Sequence, residues 1–262
     1  MVNQAMPIPF DVRLMNATAA ALLTAFALAT LATLAAAAAN HGLFALAAIT
    51  VTGDTTHSNA VTLRANVVPK LGGSFLTLDL AQAQQAFEAV PWVRRAVVKR
   101  EFPNRLLVVL QEHQAVAFWG PENESRLLNA QAEVFEANAG EVEHQDLPRL
   151  GGPAGQEPLV LAMYRRLQPM FDPLDLSLDQ LDLSGRGSWI ARLDSGAVIE
   201  LGRGSEDEVS ARTDRFLKTL TQVTVRYQRR PDAVETADLR HAGGYAMRLR
   251  GVSTTVVDGK KK

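Results

Sequence analysis

After Arg13 the chain carries no formal charge until Asp54, and residues 15–39 form an uncharged, alanine-rich run. An α-helix needs about 20 predominantly apolar residues to cross a bilayer core, so the run is of spanning length. Leu22, Leu23, Phe26, Leu28, Leu31 and Leu34 supply the stronger apolar character, and Thr18, Thr24, Thr30 and Thr33 dilute it. Insertion is therefore favourable by a modest margin. A cleaved signal peptide competes, because the small residues at 35–39 offer cleavage sites. Its apolar region is normally only about 7–15 residues, which favours an uncleaved anchor. A buried core helix is the other alternative, and such helices seldom run this far without a charge on a wet face. Arg13 is the sole basic residue before the span and the next is Arg64. The positive-inside bias thus puts a short tail, residues 1–14, in the cytoplasm and the bulk outside it.

Of 262 residues, those beyond the anchor suffice for one large or two small domains. Lys and Arg total 27 against 28 Asp and Glu, a net charge of −1, which excludes a strongly cationic nucleic-acid binder and a disordered acidic tail. With no cysteine, disulfide staples, Cys-ligated metal and thiol chemistry are excluded as well.

Residues 47–53 alternate apolar and β-branched side chains up to Gly53, as a strand does. Ser58 is a cap for a helix carrying Val61, Leu63 and Val67 that stops near Pro69. Asp79 with Gln82 gives a capping-box start to a second helix, whose inward face is Leu80, Ala83, Phe87 and Val90. Residues 93–102 and 105–113 read as paired strands around Pro103-Asn104, which suits a type I turn, with Ala96, Val98, Leu106, Val108 and Leu110 covered. The order is β-α-α-β-β.

The blocks that carry this pattern are Ser74-Phe75-Leu76-Thr77-Leu78-Asp79, Pro91-Trp92-Val93-Arg94 and Phe102-Pro103-Asn104-Arg105-Leu106. They resemble the POTRA domain of the FtsQ/DivIB family of bacterial cell-division proteins. That resemblance implies an α+β chain: an N-terminal transmembrane helix at 15–39, a POTRA domain at 45–115, a mostly antiparallel β-domain with packed helices at 116–252, and a tail at 253–262. Outer-membrane assembly and secretion adaptors also use POTRA folds, so the fold by itself does not decide function.

Further on, residues 126–129 and 133–135 flank a short turn, and residues 147–153 read as a rigid connection. A helix over 157–170 presents Leu159, Met163, Leu167 and Met170. Strands follow around 178–184, 189–193 and 197–201, with a tight turn at Asp194-Ser195-Gly196. Ser205 and Glu208 form a capping box for a helix with Val209, Phe216 and Leu220 inward. A hairpin of 233–240 and 245–249 closes the region around His241-Ala242-Gly243-Gly244, whose glycines suit positive φ.

Gly185-Arg186-Gly187-Ser188-Trp189, Ile199-Glu200-Leu201-Gly202-Arg203 and Ala237-Asp238-Leu239-Arg240 are similar to the β-domain of the same family, in the same order. The resemblance implies a non-catalytic scaffold of the divisome in the inner membrane at the septum. Its last sheet edge receives FtsB, itself paired with FtsL, and through them the scaffold connects to other division proteins and to septal peptidoglycan synthesis. Carried over by position, Arg240 and Arg186 pair with the partner's acidic side chains, Gly243 and Gly244 form a close-approach turn, and Tyr245, Ala246, Met247, Arg248 and Leu249 are the receiving strand. No cofactor, nucleic acid or small-molecule substrate is implied. The chain departs from the family at Ala132, where the first turn usually has glycine, and at His241, where an aromatic usually follows the arginine.

Chemistry has weak candidates. Asp172, Asp175, Asp179 and Asp182 alternate with leucines, as the wet side of a strand and its approach do, and are a poor metal or acid/base cluster. His41, His57, His113, His144 and His241 contain no i,i+4 metal pair, and no phosphate-cradle or nucleophile-elbow motif occurs. Arg94, Arg95, Lys99 and Arg100 read as solvated strand protection, and Lys260, Lys261 and Lys262 as a solvated tail.

Overall fold

The uncharged run is one helix, α1 (Phe10–Ala39). Within its span Phe10–Ala37 the most apolar 18-residue window has a mean hydropathy of 2.0, and none of that window is buried against protein. That is the opposite of a core helix, whose apolar stripe needs a protein partner. Its threonines meet their hydrogen-bonding needs locally: the hydroxyls of Thr18, Thr24, Thr30 and Thr33 donate to the carbonyls of Met15, Ala20, Phe26 and Thr30, at 2.7–2.9 Å. A polar side chain so bonded costs less in hydrocarbon than an unsatisfied one.

The structure, a computed structural model, describes residues 10–39, 44–138, 140, 142, 146–241 and 243–252. His41, His144, Ala242, residues 1–9 and the tail at 253–262 lie outside the described residues. The chain divides into two units, the first ending at Glu112 and the second beginning at His113.

In the first unit, β1 (Ala48–Gly53), α2 (Ala60–Val67), α3 (Leu80–Glu88), β2 (Val93–Glu101) and β3 (Arg105–Glu112) follow in sequence. The strands lie in the order β1-β3-β2, with β1 parallel and β2 antiparallel to β3. Leu63, Val67, Ala83, Phe87, Val90, Ala96, Leu106, Val108 and Leu110 make the core. Asp79 caps α3 by accepting from the N–H groups of Ala81 and Gln82. The cap of α2 is Asn59 and not Ser58: Asn59 Oδ1 accepts from Thr62 at 2.8 Å. Ser58 has a longer-range role, donating its N–H to Glu112 Oε1 at 2.6 Å.

Glu112 also accepts the His57 N–H at 2.9 Å, and the His57 ring stacks on Trp92 at 3.8 Å. Burial works to raise the Glu112 pKa, but the donors from Ser58 and His57 outweigh it and hold the carboxyl below its ordinary value. The Phe102–Pro103 bond is cis, and Phe102, Pro103 and Asn104 join β2 to β3. Arg100 is not solvated strand protection. It reaches back to the carbonyls of Phe75 and Leu78, at 2.8 and 2.5 Å, and ties down the approach to α3.

The described residues of the second unit form a 9-stranded sheet in the order β12-β11-β10-β9-β8-β7-β4-β5-β6. Its strands are β4 (Ala115–Trp119), β5 (Arg126–Asn129), β6 (Val134–Glu136), β7 (Arg149–Gly151), β8 (Leu178–Leu183), β9 (Ser188–Leu193), β10 (Val198–Arg203), β11 (Val234–Asp238) and β12 (Ala246–Leu249). Neighbours are antiparallel except at β11–β10, β8–β7 and β7–β4. Helices α4 (Glu157–Phe171) and α5 (Glu206–Arg226) bury Val160, Met163, Leu167, Val209, Phe216 and Leu220 in the same core as Trp189, Ile199 and Leu201. Both halves of the Ser205–Glu208 capping box are present.

Residues 147–153 are more than a connection, because Arg149–Gly151 is β7, parallel to β4 on one side and β8 on the other. A Cβ on Gly151 would stand 2.3 Å from Asp182 Oδ1, so glycine lets the carboxylate lean over this strand. Asp182 is accordingly half-buried, not on a wet face. Burial pushes its pKa up, partly offset by the Gln180 amide and by Arg192 and Arg149.

Two stability predictions follow from this packing. Trp92 is 5% exposed where α3 hands over to β2, so Trp92→Ala should cost about 3–5 kcal/mol; an unchanged denaturant midpoint would refute that structural role. Ala132 sits at φ 63°, a left-handed conformation that disfavours Cβ. Ala132→Gly should therefore stabilise the fold by about 0.5–1 kcal/mol in urea unfolding, the relief of strain exceeding the added chain entropy.

Candidate functional site at the C-terminal sheet edge

An open sheet leaves main-chain donors and acceptors unpaired along its last strand. Here that strand is β12, paired among the described residues only with β11: Ala246 stands opposite Asp238, Met247 opposite Ala237 and Arg248 opposite Thr236. Just past β12, Arg250 donates its N–H to Ala233. Counting back in steps of two along an extended strand, the N–H groups of Arg248 and Ala246 also turn towards β11, and that of Met247 turns to the open edge.

Side chains on this strand serve the unit's own core. Leu249 is buried, and Tyr245 and Met247 pack against the core. The Tyr245 ring meets Phe216 edge-on at 5.0 Å, and its hydroxyl bonds Thr219 at 2.7 Å. Ala246 and Arg248 point outward, with Arg248 Nε 3.1 Å from Glu235. Gly244 does not have positive φ, and a Cβ on Gly243 or Gly244 would meet nothing within 4 Å. They are exposed positions of an open turn and not a close approach within this chain.

Arg240 follows β11 and is held by two carboxylates. Its Nε and Nη2 donate to the oxygens of Asp238 at 2.8 and 2.6 Å, and Nη1 lies 2.8 Å from Glu200 on β10. The guanidinium keeps the Asp238 carboxyl well below the usual carboxylate range. His241 is exposed, with Nε2 4.0 Å from Asp238. Arg186 lies exposed in the β8–β9 turn. Ser188, which ends that turn, is opposite Arg203 of β10, and the adjacent Gly202 is the residue under Arg240. Arg186 and Arg240 therefore flank the same end of β10. Glu200 and Asp238 went unread in the sequence as parts of this site, although both lie inside the blocks singled out there.

Elsewhere, Asp172 and Asp175 fall in the turn after α4 while Asp179 and Asp182 lie on β8. Among the described residues no group of three His, Cys, Asp or Glu is arranged to hold a metal ion. His57 and His113 are occupied by ring stacking on Trp92 and Phe135.

Comparison with known proteins agrees with this architecture. A family model described as POTRA domain, FtsQ-type, matches residues 44–113, and one described as Cell division protein FtsQ/DivIB, C-terminal, matches residues 117–240. The Cell division protein FtsQ of Thiomonas arsenitoxydans is 39% identical over 94% of this chain and 90% of its own length. That of Burkholderia pseudomallei is 40% identical over 83% of this chain and 86% of its own. Relatives named as division proteins displace the secretion and outer-membrane assembly alternative. With both domain types matched in order and similarity running over most of its length, the chain belongs to the FtsQ/DivIB family of bacterial cell-division proteins.

Proposed function

We propose that this chain is a single-pass inner-membrane scaffold of the divisome that works by binding and not by catalysis. Residues 1–14 are its cytoplasmic tail, 15–39 its span, 45–115 and 116–252 its two periplasmic domains, and 253–262 a tail. It receives an extended segment of FtsB at β12, and through the FtsB–FtsL pair it connects earlier septal proteins to peptidoglycan synthesis. The observation that carries this reading is an edge strand whose inward side chains lock it into the core while its outer main chain is unpaired among the described residues. Main-chain bonds to the added strand supply affinity, and arginines fix its register by directional bonds to carboxylates.

Orientation is tested on spheroplasts, where added protease should degrade the portion beyond about position 45, as a span with its only near basic flank at Arg13 requires. Protection of the intact chain would overturn the topology, and a mature N-terminus near Asn40 would overturn the anchor. The edge is tested by binding of FtsB to the detergent-solubilised protein. Arg240→Glu should weaken it by more than about tenfold with the fold retained. Met247→Pro should weaken it further by deleting the outward N–H. Parent-like affinity in both variants would place the partner elsewhere.

A further inference from the structure

Arg240 does not wait at this edge as a free cation. A guanidinium has five N–H donors, and in this structure Nε, Nη1 and Nη2 each already face a carboxylate oxygen. The stem of the side chain lies over β10, whose register shifts between Glu200 and Gly202. Gly202 sits there at φ +82°, and a Cβ on it would stand 2.9 Å from Arg240 Cγ. Glycine is thus what lets the arginine cross the strand.

The two carboxylates do different things. Asp238 takes the main-chain N–H of Arg240 at 3.0 Å as well as Nε and Nη2, so one residue fixes both the backbone and the fork. Glu200 adds a single contact to Nη1 and comes from another strand. Removing it leaves the fork anchored. Its charge, however, stands beside the nitrogen that an incoming carboxylate must approach, and the three side chains together carry a net negative charge. A partner anion therefore meets a neighbourhood that partly repels it.

Resting on the partner-edge reading above, we propose that Asp238 positions Arg240 for the partner's carboxylate and that Glu200 restrains that contact as a competing anion. Contact with an acidic segment then requires Glu200 to share or surrender Nη1. Because Arg240 and Glu200 are about half exposed, water screens the competition and the restraint amounts to a few-fold in affinity and not to a block.

The test is binding of a synthetic peptide, the extracytoplasmic segment of the cognate FtsB, to the detergent-solubilised full chain at about 0.05 M and about 0.5 M salt. Glu200→Gln should tighten binding by about threefold to tenfold at low salt, mainly through faster association, with the gain shrinking at high salt. Asp238→Asn should weaken binding by more than about tenfold, and Asp238→Glu should recover part of the loss. A purely structural Glu200 predicts unchanged or weaker affinity in Glu200→Gln; that result, alongside a loss of binding in Arg240→Glu, would overturn the restraint while leaving the edge reading intact. Parent-like binding in Arg240→Glu would overturn both. Should Asp238→Asn melt early, the sign of the Glu200→Gln effect decides by itself.

Discussion

An open sheet cannot satisfy its own ends, and the second unit is organised around that constraint. Every inner strand of the 9-stranded sheet has a neighbour on each side, so the unmet main-chain groups collect at β6 and β12. β6 is only 3 residues long, and shortness is one way natural sheets blunt an edge. β12 is anchored more firmly, through Leu249, Met247, Tyr245 and the Tyr245–Thr219 bond to α5. The strand that displays its main chain is thereby also tied through its side chains to the core and to α5. A rigid template of this kind lowers the ordering cost that strand addition otherwise carries.

The first unit solves a different problem with related means. Its loop before α2 has few apolar contacts of its own, and it is drawn onto the end of β3 by the buried Glu112 carboxylate. The stacked His57 and Trp92 then cover that junction. In both units an acidic side chain is held in its charged form by donors placed by the fold: Glu112 by Ser58 and His57, Asp238 by a guanidinium. The first is internal. The second is at the surface, where another carboxylate can contend for the same donor.

Local signals carried most of the fold. Asp79, Ser205 and Glu208 announce helix starts because a cap is a bond between near neighbours. The alternation of β2 and β3 is legible because one face of their sheet is covered and the other open. β4 and β7 stayed hidden for the converse reason. Ala115–Trp119 is an apolar run without alternation, and Arg149–Gly151 is bracketed by prolines and glycines that read as punctuation. Both are strands only because distant segments pair with them. The same holds at the candidate site. Arg240 was visible within a sequence block, whereas its grip by Glu200 depends on β10 and β11 lying side by side. Ser58 and Asn59 show how fine the limit is, since either residue type suits a cap and only the reach to Glu112 separates them.

The position of β7 gives the sheet a load path. Strands β4, β5 and β6 form one block, β8 through β12 another, and the 3 residues of β7 are the sheet's single seam between them. The chain enters this unit beside β4 and offers its open edge at β12, so tension applied between those points and borne by the sheet must cross the seam. Leu150, fully buried there, and α4, which packs Val160 and Leu161 into the same core, act as a splint over the narrowest part of the span.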